Sequence, residues 1–156
     1  MPVFLLKTSG QKFVEAITPL WLWVEDLVRK MFPALADFIS KHLLDNLRPN
    51  TIFPTVALNL PAGEGKASIH PTHLDKNDFP EAVTVLIPFG DYEGSLTLPD
   101  LSTEVVANPG DVIVFKASRM RHATDVKKGK RKSLVFFIHT TSLHPPLPKK
   151  KKVRGK

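Results

Sequence analysis

The hydrophobic period of this chain changes once, near residue 52, and that change governs what it can fold into. Before it, over residues 11 to 47, apolar side chains recur at Val14, Ile17, Trp21, Val24, Leu27, Val28, Met31, Leu35, Phe38 and Ile39. That three-or-four spacing is the buried stripe of a helix. Thr18-Pro19 and Phe32-Pro33 interrupt it, and proline is tolerated at the first position of a new helix, so two main helices are expected, at about 19 to 31 and 34 to 46. After residue 52, short β-type runs follow one another: TVALNL, KASIH, AVTVLIPF, GSLTL, TEVVA, DVIVFKA and SLVFFIH. Turn-forming stretches such as PAGEG, GDYEG, NPGD and KKGK part them. Seven such strands in residues 52 to 142 predict an α+β, mainly β fold: an antiparallel sandwich or barrel with the N-terminal helices packed on it.

At 156 residues the chain suffices for one domain with a real core. A hydrophobic fraction of 42% and a charged fraction of 24% match a globular protein rather than a disordered or membrane one. No apolar run approaches the roughly 20 residues that span a bilayer, and the first residues lack the order of a signal peptide. The expectation is an intracellular monomer, neither secreted nor membrane-bound. The net charge of +7 suggests nucleic acid, but six of the cations lie in Lys149–Lys156, leaving residues 1–148 at about +1. The expected organisation is therefore a single domain, 1–148, followed by a disordered basic tail, 149–156. PKKKKVRGK resembles a nuclear-import signal, so an import receptor and the nucleus are the expected partner and location, with the cytoplasm otherwise. The same cluster also suits nonspecific nucleic-acid binding.

The stretch HPTHLDKND, residues 70 to 78, concentrates ligand-type side chains. With no cysteine in the chain, a metal must be held by imidazole and carboxylate, which suits iron, manganese or zinc. On an extended strand residues two apart share a face, so His73 and Asp75 project together. The candidate third ligand is His122 in SRMRHATDV, after the apolar run DVIVF. Two histidines and one carboxylate leave open positions, the arrangement of non-haem Fe(II) oxygen chemistry. In KRKSLVFFI, Arg131, Ser133, Val135 and Phe137 share one face and Lys132, Leu134, Phe136 and Ile138 the other. Arg131 with Ser133 can bind a carboxylate such as the distal one of 2-oxoglutarate.

The order H-x-D, NPGDVIVF, a distal histidine and GKRKSL resembles the Fe(II)/2-oxoglutarate-dependent dioxygenase superfamily, whose fold is a double-stranded β-helix (jelly-roll, cupin-like). HLDKND, GSLTLPDLSTEVVANPGDVIVFKASRMRHA and GKRKSLVFF are most similar to its short fungal TET/JBP-like branch, relatives of enzymes that hydroxylate 5-methylcytosine or thymine. The resemblance implies His73, Asp75 and His122 as iron ligands and catalytic centre, Arg131 and Ser133 as the 2-oxoglutarate anchor, and Asn59 as a further co-substrate contact. It implies Fe(II), 2-oxoglutarate and O2 as cofactors. The implied function is oxidation of a methylated nucleobase in nucleic acid, DNA ahead of RNA. Alternatives are a hydroxylase of a protein side chain or small molecule, and a non-catalytic β-helix module that binds nucleic acid or a partner through its tail.

Other polar residues have plainer readings. His70 has no carboxylate two residues on and reads as a solvent or supporting group; Asp78 reads as a turn cap. His139 reads as a satisfied core histidine, while His42 and His144 read as surface and tail groups. Trp21 and Trp23 read as packing residues. Phe79, Phe89 and Tyr92 are the aromatic candidates for clamping a base. The basic run at 127 to 132 is either a solvated turn or a phosphate contact at the mouth of the site.

Overall fold

Two helices come first, α1 at Thr8–Met31 and α2 at Pro33–His42. In this computed structural model the described residues are 8–47, 51–61 and 68–144; the expected tail, 149–156, and the side chain of His70 lie outside the described set. The helix break expected at Pro19 does not occur, and α1 runs through it. Pro19 sits on the exposed side, where the carbonyl of Glu15 that loses its donor can meet water. Next to it, Thr18 Oγ1 donates to Val14 O at 2.7 Å. Phe32-Pro33 does part the helices, with Pro33 opening α2.

Eight strands follow: β1 (Thr55–Asn59), β2 (Ser68–His73), β3 (Thr84–Phe89), β4 (Tyr92–Leu98), β5 (Thr103–Val106), β6 (Ile113–Phe115), β7 (His122–Gly129) and β8 (Lys132–Phe137). They form two four-stranded antiparallel sheets, β1-β8-β3-β6 and β2-β7-β4-β5. The fold is a double-stranded β-helix with two helices packed on it. The strand absent from the sequence reading is β7. Its inner side chains, His122, Thr124 and Val126, alternate with Ala123, Asp125 and Lys127, so the period is two, but only Val126 among the inner three is aliphatic. The β7–β8 turn needs Gly129: its φ is +84°, and a Cβ there would lie 2.2 Å from Asp91 O.

Alternation along β3 and β8 divides the interior in two. Val85, Ile87, Leu134, Phe136 and Ile138 join Trp21, Val24, Val28, Ala36 and Ile39 in one core between the first sheet and the helices. Trp21 meets Phe136 edge-on, with ring centroids 5.9 Å apart. The opposite faces turn toward the second sheet, where Leu86, Leu96 and Leu98 form a smaller cluster with Met120 and Val135. The buried carboxylate of Glu25 ties α1 to the approach to β1: its Oε1 accepts from Trp21 Nε1 at 3.1 Å, from Ile52 N–H at 3.1 Å and from the Thr51 hydroxyl. A buried charge so surrounded by donors fixes where the chain leaves the helices.

Two tryptophans two residues apart make a test of this layering. Trp21→Ala should lower the unfolding free energy by about 3–5 kcal/mol. Trp23→Ala, at a side chain 50% exposed, should cost less than about 1 kcal/mol. Urea denaturation of both variants measures the difference.

Candidate metal centre and its cavity

His73 ends β2 and His122 begins β7, and the two pair across the sheet. Asp75 is not on the strand: it lies just beyond it, in a loop where its N–H donates to Ala117 O at 3.0 Å. The face shared by His73 and Asp75 therefore comes from a tethered loop rather than from strand alternation. The ligand atoms of His73, Asp75 and His122 all lie within 4.8 Å of one another. His73 Nε2 is 3.5 Å from Asp75 Oδ1, and His122 Nε2 is 3.9 Å from Asp75 Oδ2.

Both imidazoles are oriented by backbone. His73 Nδ1 lies 2.8 Å from Pro71 O and His122 Nδ1 3.0 Å from Met120 O, so each Nδ1 carries the proton and each Nε2 offers its lone pair to the cluster. In SRMRH, Met120 and His122 point inward while Arg119 and Arg121 point outward. Arg119 Nε donates to Pro80 O at 2.9 Å and its guanidinium pairs with Glu81. Asp100 receives both the backbone N–H and the Nε of Arg121 at 2.7 Å, which holds its carboxyl below the usual range. His122 is thus strapped to the loop after Asp75 on one side and to the β4–β5 turn on the other.

The cluster opens on a cavity of about 1010 Å³ between the sheets. Arg131, Ser133, Val135 and Phe137 all line it, the face expected for that strand. Arg131 Nε and Ser133 Oγ are buried with no hydrogen-bond partner. Two adjacent buried donors without acceptors fit a bound carboxylate. Burial pulls the Arg131 guanidinium down from its ordinary value, against the opposing effect of Tyr92, yet an arginine remains charged. Burial likewise raises the Tyr92 phenol, whose hydroxyl donates to Ala107 O. Asn59 pairs with Ser133 across β1 and β8 and lines the same cavity from an exposed position.

Several lining groups differ from their sequence reading. His139 is half-buried on the cavity wall rather than in the core. Its Nδ1 accepts from Thr141 N–H at 3.3 Å and meets Thr141 Oγ1 at 2.6 Å, which leaves Nε2–H as the free donor. Asp78 does close the turn with its backbone, donating to Asp75 O at 3.0 Å, but its side chain is buried against the cavity. Burial first, and the charge of Asp75 second, raise its carboxyl from 3.8 to about 7. The aromatic walls are Phe115 and Phe137. Phe79 instead stacks on Phe38 at 5.4 Å, Phe89 packs toward the helices, and Tyr92 is buried at the Arg131 end. These roles were hidden because His139 and Asp78 gain their neighbours from a bridge between residues far apart in the chain. The basic run 127–132 caps the end of β7 opposite His122, with Lys127 and Lys128 paired to Glu104 and Glu93 at 3.6 and 3.9 Å.

The donor set and the two partnerless cavity atoms make a jelly roll whose cavity suits a metal ion and an anionic co-substrate. No family model matches the chain. It is 33% identical over 101 residues to Tet-like dioxygenase 1 of Naegleria gruberi, a match that covers 62% of this chain and 31% of that protein. It overlays the solved structure of NgTET1 in complex with 5mC DNA with a TM-score of 0.74 and 27% identity, over 90% of this chain and 55% of that one. The chain thus spans about a third of the length of the curated relative it matches. By sequence and by fold it is similar to the Tet-like dioxygenases.

Two measurements probe the site directly. Mn(II) should raise the melting temperature of the parent protein and leave His122→Ala and Asp75→Ala unmoved, as differential scanning fluorimetry would register. For Asp78 the sign follows from the raised carboxyl: the folded state holds its proton more tightly than the unfolded one, so stability declines as pH rises from about 4 to about 7. With metal chelated, Asp78→Asn should be more stable than the parent by up to about 4 kcal/mol at pH 8 and by far less near pH 4, in urea melts at both pH values.

Proposed function

We propose that this protein is an Fe(II)- and 2-oxoglutarate-dependent dioxygenase that oxidises a methylated nucleobase, 5-methylcytosine-like, in nucleic acid, with DNA ahead of RNA. The observation that carries the reading is the conjunction of the His73–Asp75–His122 cluster with the buried, partnerless Arg131 Nε and Ser133 Oγ in one cavity. In this reading His73 Nε2, Asp75 and His122 Nε2 hold Fe(II), and Arg131 with Ser133 holds the distal carboxylate of 2-oxoglutarate, with Asn59 as a further contact. Bound together and supplied with O2, the metal and co-substrate would provide an oxidant able to remove hydrogen from the C–H bond of a base methyl group.

The chain's own residues do the rest. The straps through Arg119 and Arg121 hold His122 in register, and the two Nδ1 bonds hold the imidazole planes. Leu86, Leu96, Phe115, Val135 and Phe137 are among the apolar residues of the lining and keep water from the reacting methyl group. Among the remaining polar side chains of the lining, Asn77, Asp78 and His139 suit the edge of a base, Asp78 as a donor when protonated and His139 through Nε2–H. A base within a duplex cannot reach so enclosed a cluster, so the substrate is a single strand or a flipped nucleotide. The relative solved with 5mC DNA supports the choice of base. We further propose that the chain acts as a monomer in the nucleus, brought there by an import receptor that binds Lys149–Lys156.

The test is nucleoside mass spectrometry after incubation of methylated DNA with the protein, Fe(II) and 2-oxoglutarate. Oxidised 5-methylcytosine is expected, with succinate formed in step. Arg131→Ala should raise the KM for 2-oxoglutarate by 10-fold or more, and His73→Ala and Asp75→Ala should abolish turnover. Succinate production alongside untouched nucleosides and an oxidised peptide would reassign the substrate to protein, and full activity in both ligand variants would end the enzyme reading.

A further inference from the structure

We propose that Lys76 is a phosphate contact for the substrate strand, the second cation of the cavity beside Arg131. The inference rests on the nucleic-acid reading above and adds to it the group that positions the backbone. Apart from its three histidines, the ionisable side chains that line the cavity are Asp75, Asp78, Lys76 and Arg131. Arg131 is engaged at the end of the cavity near Tyr92, 5.9 Å from that ring. Lys76 is exposed, adjoins Asp75 in the chain, and pairs with no carboxylate among the described residues.

Its neighbours differ. Lys116 lies 3.7 Å from Glu81, Arg119 pairs with the same carboxylate, and Arg121 holds Asp100 at 2.7 Å. The charges around His122 are therefore compensated, and Lys76 is the lining cation left over at the metal end. The turn that carries it is fixed: Lys76 N–H donates to Leu74 O and Asp78 N–H to Asp75 O, both at 3.0 Å. Asn77 O accepts from Thr140 N–H at 2.9 Å and from Thr140 Oγ1 at 3.0 Å. With the backbone so held, the side chain is the part free to reach toward a ligand.

Charge explains why a cation belongs there. A phosphodiester attached through one sugar to a base inside the cavity lies toward its rim, on the side where Asp75 adjoins the exposed Lys76. Two anionic groups brought together there repel one another. An ammonium on a flexible stem offsets that repulsion and suits a phosphate, a point-charge contact that does not need the two-pronged geometry of an arginine. Such a contact positions the strand without reading its sequence.

The experiment uses the full chain as parent, Lys76→Gln and Lys76→Arg, with 2-oxoglutarate and Mn(II) in place of Fe(II). Binding of a labelled oligonucleotide containing 5-methylcytosine is followed by fluorescence anisotropy between about 50 and 200 mM salt. Lys76→Gln should weaken binding about 3- to 10-fold at the low end and reduce the slope of log K against log salt by about 0.9, one phosphate's share. Lys76→Arg should restore the slope. Unchanged affinity and slope in Lys76→Gln would make Lys76 a solvated surface lysine, and a loss of affinity with the slope intact would make its role one of turn structure; either overturns the proposal alone. A parent that consumes 2-oxoglutarate yet binds no oligonucleotide removes the nucleic-acid reading and this assignment with it.

Discussion

Strand β8 has two faces with different obligations, and the rest of the structure depends on keeping them apart. Leu134, Phe136 and Ile138 must be dry, and the helices α1 and α2 exist to cover them. Arg131, Ser133, Val135 and Phe137 must face a cavity that can admit a ligand. Because side chains alternate strictly along a strand, a slip of one residue would send Arg131 into the helical core and Phe136 into the cavity. Pairing on both sides, with β1 and with β3 over five residues each, pins that register. Gly129 allows the turn that starts it.

The second sheet solves a different problem, bringing two histidines and a carboxylate together from separate segments. Pairing of the end of β2 with the start of β7 sets His73 opposite His122. Asp75 reaches them only because its loop is hydrogen-bonded to Ala117 and its continuation is bonded at Phe79 to Ile138. The loop from 75 to 79 thus touches the turn before β7 and the end of β8, and the His73–Asp75–His122 cluster inherits its geometry from both sheets.

That arrangement also accounts for the placement of Asp78 and His139. Neither is drawn into the cavity by its own strand pattern; each arrives through the bridge that joins residue 78 to residue 139. The site consequently holds a second carboxyl that burial and Asp75 keep protonated to about neutral pH, beside a histidine whose tautomer is set by Thr141. A cavity lined by Asp75 and Asp78 also carries two cations, Arg131 and Lys76.

The sequence by itself determined the layers and the chemistry: a period near 3.6 before residue 52 and a period of two afterwards, the face of β8 that carries Arg131 and Ser133, and the residue types of a two-histidine, one-carboxylate set. These are local properties, carried by spacing and side-chain type, and local physics suffices to read them. It missed β7, whose polar inner face becomes strand only when β2 and β4 flank it, and it broke α1 at Pro19, where solvent makes the break unnecessary. Only the tertiary structure decided that Asp75 lies on a loop, that His139 and Asp78 face the cavity, that Phe115 and Phe137 form its aromatic walls, and that Lys76 pairs with no carboxylate among the described residues. Each of those depends on contacts between residues tens of positions apart, and no window along the chain contains them.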